Sequence, residues 1–158
     1  MEIKDVGSIA KIDSEGNIIN EAGLDKIQDK WKEVLDDMVE VEKERLGDKI
    51  LCIYVRGSVA KGMAVDELSD VDTLTILDVS EDDLYKLDFE WVKNEKKKIA
   101  DKYPFIEGTE FQFLSKEDIR LGDIFIIKTS AVCVYGEDIL KDTPLCKLSF
   151  ENLLKQTG

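Results

Sequence analysis

Two aspartates, Asp70 and Asp72, stand two positions apart in the run Asp70–Leu77 (DVDTLTIL), whose other residues are apolar or β-branched. In a β-strand, residues two apart project from one face, so this run sets two carboxylates side by side where the strand begins. Such neighbours repel unless a cation lies between them, and their oxygens suit Mg²⁺, which also takes phosphate oxygens and water. Upstream, Gly57-Ser58 closes the apolar run 49–55 (KILCIYV). A glycine there permits close backbone approach, and free N–H groups together with the Ser58 hydroxyl can hold phosphate oxygens. An eleven-residue connector between Ser58 and Asp70 brings this cradle and the acids to neighbouring strand ends. Taken singly, each feature has an ordinary explanation: a turn with an N-cap, a loop cap, a solvated acid. With 35 acidic residues in the chain, one Asp-x-Asp pair is expected by chance. Order, spacing and strand context together fit one task, the holding of a triphosphate with its metal.

The rest of the composition narrows the chemistry. Histidine is absent, which removes Ser-His-Asp and Cys-His catalysis and leaves carboxylates as the catalytic groups. Cys52, Cys133 and Cys146 are widely spaced without a CxxC pair, and read as reduced core thiols rather than zinc ligands. A net charge of −13 argues against an extended nucleic-acid surface, since such surfaces neutralise phosphates with Lys and Arg. No apolar run reaches the roughly twenty residues that span a bilayer, and the start MEIKDVGS has no signal-peptide pattern, so the expected location is the cytoplasm.

The elements that must position these residues follow from periodicity. Residues 8–13 and 17–20 are β-prone around Ser14-Glu15-Gly16, a hairpin. From residue 21 to 46 the apolar positions Leu24, Ile27, Trp31, Val34, Met38 and Val41 recur at steps of three and four, one long amphipathic helix that Gly47 ends. Residues 49–55 form a buried strand, 59–63 a short helix and Asp70–Leu77 the second strand. Ser80 begins a helix that runs to about Lys102, ahead of Pro104. Residues 109–114 (TEFQFL) form the third strand, Ser115 with Asp118 reads as a helix cap, and 131–135 (AVCVY) form the last strand. The expectation is one domain over 1–158, with a core at 48–139, a hairpin and helix at 1–47 and a peripheral tail at 140–158. Its fold class is α/β of the α+β type, a mixed β-sheet with helices packed on it.

An apolar strand, Gly-Ser, a spacer of this length and Asp-x-Asp running into apolar residues together resemble the nucleotidyltransferase superfamily with the polymerase-β-like fold. Over about 48–139 the chain is similar to its small prokaryotic members, which include aminoglycoside nucleotidyltransferases and the minimal nucleotidyltransferases paired with toxins. The resemblance implies that Asp70 and Asp72 bind divalent metal and that Gly57 and Ser58 hold the donor's terminal phosphates. It places a basic residue, Lys61, where it steadies the triphosphate, although a solvated helix lysine fits that position equally. It also implies a third carboxylate on a later strand, as metal ligand or base: Glu110 matches best, with Glu107 its rival. The implied cofactor is Mg²⁺ in a two-metal site.

The implied reaction passes a nucleoside monophosphate from a nucleoside triphosphate to an acceptor hydroxyl and releases pyrophosphate. A small molecule, a protein side chain or an RNA end could accept it, the acidic balance disfavouring RNA. Relatives of this kind often continue into a helical domain that shapes the acceptor site, and this chain stops soon after Tyr135-Gly136. The acceptor site therefore comes from a second copy or a helical partner, or the chain is a fragment. The alternative is a noncatalytic, antitoxin-like module that keeps the fold for partner binding. Against it, a purely structural descendant has no physical need of two repelling carboxylates beside a phosphate cradle.

Overall fold

A computed structural model describes residues 11–144. Residues 8–10 of the expected hairpin, Cys146 and the tail from 145 onward lie outside the described residues. Within them, the β-branched runs form four strands: β1 (Ile50–Arg56), β2 (Asp70–Leu77), β3 (Gly108–Ser115) and β4 (Ala131–Gly136). They make one sheet in the order β3-β2-β1-β4, in which β1 is antiparallel to both its neighbours and β2 is parallel to β3. The expected mixed sheet of an α+β fold is what the chain builds. The α-helices of the described residues are α1 (Asp29–Leu46), α2 (Ser58–Lys61), α3 (Glu81–Lys86), α4 (Glu90–Lys102) and α5 (Leu121–Ser130).

Strand alternation divides the core. Val71 and Leu77 of β2 face α1 and α4, where Trp31, Val34, Met38, Leu46, Trp91 and Ile99 bury them. Leu74 and Ile76 point to the opposite face, covered by Ile127 of α5 with Ala131 and Leu140. That second cover stops short of the first residues of β2. The end of the sheet carrying Asp70 and Asp72 therefore has a packed back and an open front.

Four expectations change in the structure. The long helix begins at Asp29, not near residue 21, because Leu24–Lys26 forms a separate single turn and Gln28 is extended. Tertiary contacts hold this break: Gly23 N–H donates to the Ala60 carbonyl at 3.0 Å, and a Cβ on Gly62 would meet the Lys26 carbonyl at 2.6 Å. Gly47 ends the helix as expected, at φ +51°. The helix from Ser80 is capped by the Ser80 hydroxyl, which accepts from Asp83 N–H at 3.1 Å, but it divides into α3 and α4. Phe89 stacks on Phe113 at 4.5 Å, and the Asp88 carboxylate restarts the helix by accepting Glu90 N–H at 2.9 Å. Ser115 caps no helix. It ends β3, donates to the Val79 carbonyl at 2.6 Å, and leaves α5 to begin at Leu121 with Asp123 accepting Arg120 N–H. Among the described residues of the expected hairpin, Ile12 and Ile18 form a bridge around the turn at Gly16. Cys52 and Cys133 are both free thiols.

One buried charge stands out behind the sheet. Glu42 of α1 is fully buried, accepts the Thr75 hydroxyl at 2.6 Å and leaves its second oxygen without a partner. Burial pushes its carboxyl from the ordinary 4.5 up to about 7, the Thr75 bond pulling the other way. The stabilisation that the protonated form provides is complete below about pH 4.5 and is lost as pH rises to about 7. Glu42→Gln should therefore gain on the wild type by on the order of 3 kcal/mol between pH 4.5 and pH 8. Urea unfolding of both proteins across that range checks this, and parallel curves would refute it.

Candidate active site

The site is assembled by strand register. In the parallel pair β2–β3, Asp72 stands opposite Glu110 and Asp70 opposite Gly108. In the antiparallel pair β1–β2, Arg56 stands opposite Asp72. All four charged side chains thus share the open face of the sheet. With Thr73, Phe111 and Gln112 they line one cavity of about 370 Å³. The expectation that the third strand lies beside the second, carrying Glu110 toward the aspartates, agrees with this geometry.

Electrostatics single out Asp72. Burial pushes its carboxyl above the usual range, Arg56 opposes that shift, Asp70 and Glu110 add to it, and Lys96 pulls it back. Its Oδ1 is buried and makes no hydrogen bond. A hard anionic oxygen left in that position is a ready ligand for a divalent cation, so the donor set fits Mg²⁺. Among the described residues, no three acidic or cysteine side chains are already gathered around one metal position. Lys96 reaches around the edge strand from α4 to Glu110 at 3.3 Å, and Glu107 shares a hydrogen bond with Asp70 that raises the Glu107 carboxyl. Glu107 is exposed just ahead of β3 and lines no part of the cavity. Of the two rivals, Glu110 enters the cavity while Glu107 touches one of its walls.

The Gly57-Ser58 turn opens at the same end of the sheet, immediately beyond Arg56. Gly57 takes φ +81°, a conformation that strains any L residue, although a Cβ there would meet nothing within 4 Å. Its N–H donates to the Ser130 carbonyl at 3.1 Å, so the glycine itself offers no free donor. Ser58 begins α2, and its hydroxyl donates to Ser69 at 3.2 Å, tying the turn to the residue before Asp70. Lys61, in the last turn of α2, lies in the field of Glu21 and outside the acid cavity. The fold therefore gathers Asp70, Asp72 and Glu110, sets Gly57 and Ser58 beside them, and leaves Lys61 one helical turn away. Arg56, Lys96 and Gln112 escaped the sequence reading. Arg56 was visible as a lone charge at the end of an apolar strand, but its partner depends on the β1–β2 register.

Strands that present acids around one cavity, with a glycine turn at their end, form the candidate site. The family model described as "Nucleotidyltransferase domain" matches residues 35–132, well over half of the chain. The chain belongs to this nucleotidyltransferase family. Among solved structures, one titled a toxin-antitoxin MntA-HpeT mutant is 13% identical, with 78% of this chain and 80% of that chain covered and a TM-score of 0.44. Another, titled a toxin-antitoxin with AMP-PNP, is 13% identical over 77% of this chain and 80% of that chain, with a TM-score of 0.45. No curated protein matches the chain. Among the described residues no helix is long and apolar enough to cross a membrane.

Because Asp72 is half-buried among like charges, neutralising it relieves repulsion without opening a void. Asp72→Asn should unfold within about 2 °C of the wild type or above it, as thermal denaturation at neutral pH would register. A large drop would mean that the carboxylate holds the sheet together.

Proposed function

We propose that the chain transfers a nucleoside monophosphate from a nucleoside triphosphate to an acceptor hydroxyl. The acceptor oxygen bonds to the α-phosphorus as the bond to the bridging β-phosphate oxygen breaks, pyrophosphate departing with that electron pair. In this reading Asp70 and Asp72 hold Mg²⁺, and Glu110 either completes a second Mg²⁺ position or takes the acceptor's proton. Bound there, Mg²⁺ would neutralise the charge that develops on the phosphate oxygens and lower the pKa of the attacking hydroxyl.

The chain's own groups supply the rest. Ser58 exchanges its bond to Ser69 for a terminal phosphate oxygen, assisted by the N–H groups that open α2, since Gly57 has spent its own. Lys61 adds a cation for the terminal phosphates. Glu110 parts from Lys96, and Asp70 from Glu107, when the site loads. The acidic balance of the chain favours a small-molecule or protein acceptor over RNA, and the cytoplasm is the compartment this reading expects. One observation carries the proposal: the unpaired Oδ1 of Asp72 in the cavity that Asp70 and Glu110 also line.

Calorimetric titration with ATP, GTP, CTP and UTP, each with and without Mg²⁺, tests the donor site before any acceptor is known. At least one nucleotide should bind about tenfold more tightly with Mg²⁺. Binding indifferent to the metal counts against the proposal. Asp72→Asn should lower pyrophosphate release from the bound triphosphate by about a thousandfold or more at saturating Mg²⁺, and undiminished release would end the case.

A further inference from the structure

Arg56 is the one cation built into the strands around the cavity, and the roles above leave it unused. Alternation along β1 sends Cys52, Tyr54 and Arg56 to the open face of the sheet. Cys52 and Tyr54 are buried in the cluster that α5 covers, and Arg56 stands where that cover ends. Its neighbours across the two pairings are Asp72 on β2 and Ala131 on β4, a carboxylate on one side and a methyl group on the other.

An Arg and an Asp directly opposite on adjacent strands are close enough to form an ion pair. Here they feel each other's charge but do not bond. Among the described residues the Arg56 side chain has no hydrogen-bond or ion-pair partner, and Asp72 Oδ1 has none either. Leaving both groups half-buried and unpaired costs stability, so the arrangement suits a shared ligand better than a structural bridge. The guanidinium is a planar fork matched to two oxygens of one phosphate.

Position decides which phosphate. Gly57 and Ser58 lie outside the cavity lining and, in the reading above, take the terminal phosphates. Arg56 shares its cavity with the acids that hold the metal, and that metal must sit against the phosphate being transferred. We propose that Arg56 is a substrate-contacting residue that grips the α-phosphoryl oxygens of the donor nucleotide. This rests on the nucleotidyl-transfer reading. It gives the site a fixed positive charge at the phosphorus under attack, independent of the metal.

The test compares the full chain with its Arg56→Met and Arg56→Lys variants. The probes are the triphosphate that the wild type prefers, the matching monophosphate, inorganic pyrophosphate and Mn²⁺ alone. Arg56→Met should weaken triphosphate and monophosphate alike by about tenfold or more, with pyrophosphate changed less than about twofold. Mn²⁺ alone should bind the same variant as tightly as the wild type or more tightly, because a repelling charge has gone from beside the carboxylates. Damage to the fold would weaken metal and nucleotide together, and Arg56→Lys, which keeps the charge but loses the fork, should weaken nucleotide binding less than Arg56→Met does. Unchanged monophosphate binding, or a loss shared by metal and nucleotide, overturns the assignment of Arg56 and leaves the parent reading standing. A wild type that binds no triphosphate overturns both.

Discussion

A carboxylate oxygen without a partner, withdrawn from water, is the constraint around which this molecule is organised. Asp72 occupies the centre of the sheet's open end, with Glu110 opposite on one side and Arg56 opposite on the other. Three acids and one strand-borne cation line the cavity, so its charge is left uncompensated. A site in that condition gains from any further cation.

What makes the constraint permanent is the opposite face of the same strand. Val71, Thr73, Thr75 and Leu77 are almost wholly buried against α1 and α4. A slip of one residue in register would drive the aspartates into that core and expose its apolar residues, which is prohibitively unfavourable. Packing on the far side of the sheet therefore fixes the places of the two aspartates. The back is not fully relaxed, since Glu42 and two threonine hydroxyls carry unpartnered polar atoms there.

Net charge and local charge act in opposite directions. At −13 the chain repels polyanions at long range, and salt screens that repulsion within about 10 Å. At the site, Arg56 is set into the sheet, Lys96 reaches in from α4 and Lys61 stands on α2. Cations held on rigid elements thus give the site local charges opposite in sign to that of the chain as a whole.

The strands were legible to within a residue at either end, and β2 at both ends, because an apolar or alternating run of this length has few other ways to exclude water. Asp70, Asp72 and the turn at Gly57 were legible for the same reason: each is defined by its place along a local backbone pattern. The break before Asp29 and the break at Phe89 were not, because a carbonyl on α2 and the ring of Phe113 impose them from far along the chain. Arg56 was in plain view with its role hidden. Its pairing with Asp72, and the choice of Glu110 over Glu107 as the acid inside the cavity, come from registers between strands distant in sequence. Local periodicity is written by backbone geometry and solvent, residue by residue. Which strand edges meet is decided by the free energy of the whole packed sheet, and only that decided which charges face one another.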